Sequence, residues 1–280
     1  MKQINIITHN GLFHSDEVFA VAFLKHLFKE EILNISRTRD ESLLQIAKAD
    51  KHSYVLDLGG EYNAEMLNFD HHQDHYKGEL SSFGLLIENL SQKQIISVFK
   101  YPQAFEYFKQ QLVKPIDKWD NNTENVIQIA ASNHIYSLQR IISAYNQSIP
   151  FGVKQEEAFA QAVSFAETII KKEIYAAKEV HFEKLMCERY QADGHISINN
   201  KKAISKVFFS GFKGWAKQKG LRYMLIPVPN EELQNDYLVF STKPAKYKLP
   251  IAANSYFRHK AGFIILFKSH ENALQYFEKL

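Results

Sequence analysis

The sequence predicts an α/β protein of two domains, and three observations support this fold class. Short β-branched strands alternate with helical segments over the first 70 residues, which is typical of βαβ units around a parallel sheet. The chain has 280 residues, more than a single hydrophobic core usually serves. Beyond residue 194, short strand segments and a closing helix predict a smaller mixed α/β domain.

The first domain is predicted to span residues 1–150. Its first elements are a strand at 4–9, a helix at 17–28, a strand at 31–38, a helix at 40–49 capped by Asp40, a strand at 52–60 and an apolar run ending at Phe69. Apolar residues at helical spacing predict the helices, and β-branched runs ended by Gly or Asn predict the strands. A helix beginning at Ser81 or Ser82 continues as helical segments to residue 146, with interruptions near Pro102 and Pro115.

The second domain is predicted to span residues 151–280. The segment SIPFG (148–152) predicts the boundary, and an amphipathic helix at 154–190 connects the two domains. The predicted strands are GHISIN, AISKVFF, RYMLIPVP, DYLVFST and GFIILF, followed by the helix ENALQYFEKL. From His195 onward there are 14 Lys and Arg against 5 Asp and Glu, a net charge of +9, whereas residues 1–194 carry −6. The basic segment favours an anionic partner.

Composition argues against several classes of protein. A hydrophobic content of 45% and a charged content of 23% are typical of soluble globular chains. Because Cys187 is the single cysteine, the sequence predicts no disulfide framework within the chain, no thiolate zinc site and a reducing, cytoplasmic location. The amino terminus has no long apolar segment, and no run approaches about 18 apolar residues, so neither a signal peptide nor a membrane span is predicted.

Histidines and aspartates cluster where the predicted strands of the first domain end. Seven of the 12 histidines lie within the first 75 residues, and three of them lie in FDHHQDH (69–75). Because ligands of α/β sheets bind at the carboxyl ends of the strands, we expect these side chains to converge. They are His9, His14 and Asp16 after the first strand, Asp57 after the third, and Asp70, His71 and His72 after the run ending at Phe69.

This set of side chains predicts a metal centre. Imidazoles and carboxylates without thiols suit manganese, iron, cobalt or zinc better than calcium. The donors suffice for two ions, with Asp57 as the carboxylate that bridges them. Two cations roughly 3.5–4 Å apart can hold a hydroxide and stabilise the attacking and leaving oxygens of a displacement at phosphorus. The cluster therefore predicts phosphoester hydrolysis.

The motifs resemble those of the DHH phosphoesterase superfamily and, more narrowly, the melanocyte-proliferating-gene (MYG-one) family. Asp70-His71-His72 matches the superfamily signature. The narrower pattern is THNGLFHSDE (8–17), RTRD (37–40), VLDLGGEYN (55–63), FDHHQ (69–73), LSSFGL (80–85), IDKWDN (116–121) and HKAGFI (259–264). The resemblance spans nearly the whole chain. It implies a parallel-sheet DHH domain followed by a smaller mixed α/β domain, with the active-site cleft between them.

The resemblance also implies residue roles. One ion is expected on His9, His14 and Asp57, and the other on Asp16, Asp57, His71 and Asp120. Manganese is the expected metal, with magnesium, cobalt, iron or zinc as alternatives. Asp57, Asp70 and His72 are the expected catalytic residues, with His72 facing the substrate phosphate and Asp70 orienting His71. Apart from the resemblance, Arg37 and Arg39 are either solvated charges at a strand end or a bidentate clamp on phosphate. Arg258, His259 and Lys260 are either a basic surface hairpin or substrate contacts, and both sets are expected to bind substrate.

The chain departs from the family pattern in three places, one of which is Ser15, where the family usually has cysteine. Asn122 stands where the family usually has Gly, although Asn tolerates positive φ better than most residues, and Asp117 is a fallback ligand there. Ile265-Leu266 stands where a glycine pair is expected. Separately, SGFKGWAKQKGLRY (210–223) is either a solvated basic face or a surface that stacks bases of a single strand.

The sequence therefore predicts a two-metal phosphodiesterase. By resemblance it is a 3′-to-5′ exonuclease on RNA or short oligonucleotides, with no membrane partner and with a homodimer left open. One alternative is hydrolysis of a small phosphorylated metabolite or pyrophosphate. Another is a catalytically silent, metal-binding interaction protein.

Overall fold

The computed structural model describes residues 3–232 and 234–280. The chain forms two compact units, Met1–Lys178 and Glu179–Leu280, and each contains one β-sheet. The predicted mixed α/β class is confirmed. The assignment of catalysis to residues 1–150 and of substrate binding to residues 151–280, with a cleft between them, stays a prediction. Within the described residues, no helix has the length and apolar character needed to cross a bilayer.

The sheet of the first unit brings three strand ends to one edge. Its strands are β1 (Gln3–Thr8), β2 (Ile32–Arg37), β3 (Ser53–Leu56), β4 (Tyr62–Asn63) and β5 (Asn68–Phe69), in the order β2-β1-β3-β5-β4. β1 pairs in parallel with β2 and β3, and β3 pairs in parallel with β5. Only the short edge strand β4 is antiparallel to its neighbour among the described strands of this sheet. The carboxyl ends of β1, β3 and β5 therefore meet, as the sequence predicts.

Helices cover this sheet. They are α1 (Ser15–Leu27), α2 (Glu41–Ala49), α3 (Ser82–Glu88), α4 (Gln92–Phe99), α5 (Pro102–Phe108), α6 (Lys114–Asp120), α7 (Val126–Ser132) and α8 (Leu138–Ser143). Asp40 caps α2 as predicted, accepting from the backbone N–H groups of Ser42 and Leu43. A π-helical turn, Lys109–Val113, joins α5 to α6. Pro115 lies two residues after this turn; it lacks an N–H, and in a regular α-helix its ring would clash with the carbonyl four residues earlier.

Helix α1 lies at the centre of the first unit. Its residues from Ser15 to Leu24 are all buried, and it packs against α3, α6 and α8. The rings of Phe19 and Phe23 contact that of Phe83 at centroid distances of 6.1 and 6.3 Å. This packing fixes the first turn of α1, which carries two buried carboxylates.

The long helix α9 (Val153–Ala192) passes through the division between the units. The second unit contains β6 (Ile196–Asn199), β7 (Lys202–Ser205), β8 (Tyr223–Pro229), β9 (Asn235–Ser241), β10 (Phe257–Arg258) and β11 (Ile264–Phe267), with helices α10 (Phe212–Gln218) and α11 (His270–Glu278). The sheet order is β10-β11-β9-β8-β7-β6. A strand forms in each of the five predicted segments, although in AISKVFF it ends at Ser205, whereas the two-residue strand β10 had no periodicity to predict it.

The idea that residues 210–223 stack nucleic-acid bases is wrong. Phe212, Trp215 and Tyr223 are between 3% and 9% exposed. Phe212 and Trp215 pack into the core between α10 and the sheet, where the ring of Phe212 meets that of Phe240 at 5.8 Å. Phe212 and Trp215 therefore form the inner face of α10, and Tyr223 begins strand β8.

Candidate metal centre

His9 presents one ring nitrogen to two carboxylates. It directly follows β1 and is buried, and its Nδ1 donates to the carbonyl of Asn10 at 3.0 Å. Its Nε2 lies 3.2 Å from Glu17 Oε1 and 3.3 Å from Asp57 Oδ2. Burial alone would lower the pKa of His9, but the carboxylates of Asp57 and Glu17 raise it to about 10. The position at Nε2 therefore favours a bound cation.

Asp57 lies between two imidazoles. It follows β3 with a φ of 54°, a left-handed conformation that is uncommon outside glycine. Its backbone N–H donates to the carbonyl of Phe69, which ties it to β5. Oδ2 faces His9, and Oδ1 lies 3.3 Å from His71 Nε2. Burial opposes ionisation, but interactions with His71 and His9 hold the pKa of Asp57 below its usual value. A carboxylate that bridges two metal ions must present one oxygen to each side, as Asp57 does here.

Asn121 orients His71. The Asn121 amide nitrogen donates to the carbonyls of Asp117 and Glu79 at 3.1 and 3.2 Å, so its oxygen accepts from His71 Nδ1 at 3.2 Å. His71 Nε2 is thereby directed at Asp120 Oδ2, 3.1 Å away, and at Asp57. Burial would lower the pKa of His71, but Asp120 and Asp57 raise it to about 10.

The first turn of α1 contributes two carboxylates that the fold leaves partly unpartnered. Asp16 and Glu17 are fully buried. Asp16 Oδ2 accepts from the backbone N–H of Ser82 at 3.3 Å and lies 3.9 Å from His71 Nε2. Burial and repulsion by Asp57 raise the pKa of Asp16 well above its usual value. Glu17 Oε1 accepts from the backbone N–H of His14 at 2.8 Å.

These donors fit divalent cations. Among the described residues, three overlapping groups have ligand atoms within 4.8 Å of one another: His9, His14, Glu17 and Asp57; Asp57, His71 and His72; and His14, Asp16 and Asp120. The buried atoms Asp16 Oδ1, Glu17 Oε2, Asp57 Oδ1 and His71 Nε2 have no aligned hydrogen-bond partner within the described part of the chain. Unpaired buried charge is costly, and a cation would offset that cost. The structure thus brings all six predicted ligands together and adds Glu17.

His72 is held by Asp70 at the exposed side of the cluster. Asp70 Oδ1 accepts from both Nδ1 and the backbone N–H of His72, at 2.8 and 3.0 Å, and Oδ2 accepts from the N–H of Gly60 at 2.6 Å. The hydrogen bond to Asp70 raises the pKa of His72, whose side chain is 63% exposed. The expectation that Asp70 orients His71 is wrong, because an Asp side chain in such a turn bonds two residues ahead.

Asp117, the fallback ligand, caps α3 instead. It accepts from the backbone N–H and the hydroxyl of Ser81 at 3.0 and 2.7 Å, and burial raises its pKa to about 6. A Cβ on Gly84 would lie 2.5 Å from the Asp117 carboxylate oxygens. The hydroxyl of Ser82 donates to the carbonyl of Phe69 at 2.7 Å. The motif LSSFGL therefore joins α3 to β5 and to α6, behind the ligands.

The structure also assigns Arg37 to the scaffold. Nε and Nη2 donate to the carbonyls of His9 and Gly11 at 3.1 and 2.8 Å, and Nη1 donates to Glu156 at 2.9 Å. Its guanidinium lies over the ring of Phe159 at 4.4 Å, and its side chain is 2% exposed. The expectation that Arg37 binds substrate phosphate is therefore wrong, because its donors hold the loop after β1.

The other expected substrate contacts remain predictions. Arg39 and Lys260 are exposed. Arg258 donates from Nε and Nη2 to the carbonyl of Leu249 at 2.9 and 2.6 Å. The ring of His259 lies 4.3 Å from that of Phe263, and its Nδ1 accepts from the N–H of Ala261.

Asn122 preserves the turn after the fourth acidic motif. Its φ is 46°, in the left-handed region that the usual glycine would favour, and its side-chain oxygen accepts from the backbone N–H of Ile127 at 3.2 Å. The prediction that Asn tolerates this position is confirmed. The departure at Ile265-Leu266 falls inside strand β11.

Sequence reasoning missed Glu17, Asn121 and the support of the loop after β1. Glu17 lies in the motif THNGLFHSDE and Asn121 ends IDKWDN, so both belong to motifs that carry the family resemblance. Asn146 and Gln155 hold the loop by side-chain hydrogen bonds, to Phe13 at 2.8 Å and to Gly11 at 2.8 Å. Both lie more than 130 residues away in sequence, and no local pattern marks them.

A cavity of about 760 Å³ adjoins the cluster within the first unit. Its lining includes His14, His71, His72 and Asp120. It also includes Trp119 of α6 and side chains of α7 and α8. The candidate metal centre therefore has room for a substrate beside it.

Comparison with known proteins identifies the family. The MYG1 exonuclease family model, described as "Uncharacterised protein family (UPF0160)", matches residues 5–224. The chain belongs to the MYG1 family. A MYG1 protein of Chlamydia trachomatis is 33% identical over 165 residues, which cover 59% of this chain and 52% of the relative. The MYG1 exonuclease of Mus musculus is 43% identical over 82 residues, 29% of this chain and 20% of the relative.

These MYG1 matches cover about half of the chlamydial relatives and a fifth of the mouse relative. A solved structure described as "pGpG-specific phosphodiesterase - PggH from Vibrio cholrae" is 12% identical, with a TM-score of 0.34 over 97% of this chain and 95% of that chain. That similarity is too low to establish a shared fold.

Proposed function

We propose that this MYG1 family member is a divalent-metal-dependent phosphodiesterase, acting as a 3′-to-5′ exonuclease on RNA or short oligonucleotides. The observation that carries the proposal is the Asp57 carboxylate, which faces His9 with one oxygen and His71 with the other. It belongs to two of the donor groups. The name "MYG1 exonuclease" of mammalian relatives supports a nucleic-acid substrate.

The donor groups define which residues would hold the ions. The first group, His9, His14, Glu17 and Asp57, would hold one ion. The other ion would take the ligands that the family resemblance implies, Asp16, Asp57, His71 and Asp120, whose carboxylates lie 3.1–3.9 Å from His71 Nε2, with manganese as the expected metal. When bound, the cations would neutralise charge on the phosphoryl oxygens and acidify water. Asn121 and the loop contacts of Arg37 keep the two imidazoles in place.

His72 is the residue best placed to contact the substrate phosphate. Its Nδ1–H is fixed on Asp70, which leaves Nε2 for a phosphate oxygen. Because the hydrogen bond to Asp70 raises its pKa, the imidazole is more readily protonated and can donate a charge-assisted hydrogen bond. Asp70 acts through His72 as a positioning residue, fixed in turn by the backbone N–H of Gly60.

A manganese-supplemented assay on labelled RNA, single-stranded DNA, dinucleotides and pyrophosphate tests this function. Asp57→Asn is the informative variant, because Asn tolerates the left-handed backbone at that position while losing the charge. We expect the wild type to hydrolyse RNA or dinucleotides. We expect Asp57→Asn to lose more activity than the roughly 10–100-fold typical of changes to residues outside the ligand set. Full activity in Asp57→Asn would contradict the proposal. Hydrolysis of pyrophosphate alone would favour a small-substrate enzyme, and manganese binding without any turnover would favour an interaction protein.

A further inference from the structure

The cavity beside the candidate metal centre has two kinds of wall. Imidazole and carboxylate groups line one part, namely His14, His71, His72 and Asp120. A second part is apolar and aromatic, formed by Trp119, Ile127, Ala130, Ala131 and Ile135. Trp119 and Asp120 are consecutive residues of α6, so an aromatic side chain is next in sequence to a candidate metal ligand.

The aliphatic side chains of the apolar wall offer no hydrogen bond or charge to a phosphate. Ile127 and Ile135 are 38% and 57% exposed, which leaves apolar surface in water next to a charged cluster. The cavity volume of about 760 Å³ falls within the range of roughly 300–1,000 Å³ typical of sites for organic ligands, well above the need of an inorganic phosphate. A ligand that carries both a phosphate and a flat apolar ring would match both walls.

A cationic side chain completes this cavity. Arg140 of α8 is exposed and lines the cavity, beside the polar side chains of Ser137, Gln139 and Ser143. A guanidinium binds phosphate oxygens through two parallel hydrogen bonds. The cavity thus offers a place for a base against Trp119 and for a second phosphate at Arg140.

We infer that this cavity is a nucleotide subsite, in which Trp119 stacks on the base of the nucleotide next to the scissile phosphate and Arg140 binds the phosphate of the adjoining nucleotide. The inference rests on the proposed function and names the side chains that would recognise the base and the adjoining phosphate. Trp119 and Arg140 are specificity residues here. They would distinguish nucleotidyl substrates from phosphodiesters that have no base.

Two phosphodiesters test the role of Trp119 in turnover. One is the p-nitrophenyl ester of thymidine 5′-monophosphate, and the other is methyl p-nitrophenyl phosphate, which has the same leaving group but no base. We expect Trp119→Ala to lower kcat/KM for the thymidylate ester about 5- to 140-fold, the loss of one base stack, with much less effect on the other substrate. Trp119→Phe should retain most of the activity. Equal losses on both substrates would overturn the inference.

Matched variants sharpen the test. Tyr136→Ala removes an aromatic side chain between α7 and α8 that is 70% exposed but lies outside the described cavity lining, so kcat/KM should be unchanged. Arg140→Gln should weaken binding of a dinucleotide more than of a mononucleotide ester. Equal effects on the two ligands would remove Arg140 from the proposed subsite.

Binding of AMP provides a readout that needs no catalysis. The chain has two tryptophans, and Trp215 is buried in the second unit, so quenching by a ligand in this cavity should come from Trp119. AMP should quench the emission of the wild type but not of Trp119→Phe, and inorganic phosphate should not quench either. Quenching without turnover of any ester would refute the proposed function and leave the subsite standing. Turnover without quenching would refute the subsite alone.

Discussion

Asn121 is not an expected metal ligand, but it orients the ring of one, His71. Its amide is fixed by the carbonyls of Asp117 and Glu79, so its oxygen receives the Nδ1–H of His71. The Nε2 lone pair is then available to a metal in the neutral tautomer. In the same way, Arg37 holds the loop that carries His9, and Asp70 orients His72.

Asn121→Ala should lower the affinity for Mn²⁺ about 10- to 100-fold, because the ring of His71 loses its orienting acceptor. Isothermal titration calorimetry measures this directly. Asn133→Ala is the matched control, since its amide donates to the end of α7 and is exposed. Equal affinities for the wild type and Asn121→Ala would show that His71 is held without Asn121.

Metal binding should release protons at neutral pH. The pKa values of His9 and His71 are raised to about 10 by neighbouring carboxylates, so both imidazoles are protonated near pH 7 without metal. A cation must displace these protons, and its affinity should therefore rise with pH up to about 10. Calorimetric titrations in buffers of different ionisation enthalpy should give at least two protons released per chain, because Asp16, whose pKa is raised by burial, adds to the two imidazoles. His9→Gln should remove one of them, and release independent of His9 would contradict this assignment.

At the scale of elements, the packing of α3 against α6 supports the cluster from behind. Gly84→Ala would place a Cβ 2.5 Å from the Asp117 carboxylate and should destabilise the first unit by about 1–3 kcal/mol. Gly214→Ala is the control, because a Cβ there meets open space in helix α10 and should stabilise by roughly 0.5–1 kcal/mol. Chemical denaturation measures both changes. A Gly84→Ala protein as stable as the wild type would mean that α3 shifts freely.

Elements that carry a local pattern were predictable from the sequence. The strands β1, β3 and β5 and the helix α1 have clear apolar runs, and parallel topology alone places their ends together. This is why the sequence predicts that His9, Asp16, Asp57 and His71 lie close together, as the structure places them. The two-residue strands β4 and β10 are too short to carry a pattern.

Side-chain direction was the part that sequence patterns could not predict. Arg37 sits in a motif next to the predicted cleft, yet its guanidinium is buried against Phe159. Asp117 and Asp120 share the helix α6, and only the tertiary packing shows that one caps α3 while the other faces His71. Such choices depend on residues far away in sequence.

At the scale of the whole molecule, the buried carboxylates should make the stability of the first unit depend on bound cations. The residues of the three donor groups all belong to this unit. A ligand that binds only the folded state at 100 times its Kd stabilises by about 2.7 kcal/mol. Mn²⁺ added after chelation should therefore raise the Tm of the wild type and have a much smaller effect on Asp57→Asn. Equal shifts in both proteins would place the stabilising metal elsewhere.

The number of ions and their mutual distance test the central claim most directly. Metal analysis together with electron paramagnetic resonance of the manganese-loaded protein measures both. Two Mn²⁺ per chain with magnetic coupling between them, and loss of that coupling in Asp57→Asn, is the result expected from a carboxylate shared by His9 and His71. A saturated protein with one ion, or with two uncoupled ions, would contradict it.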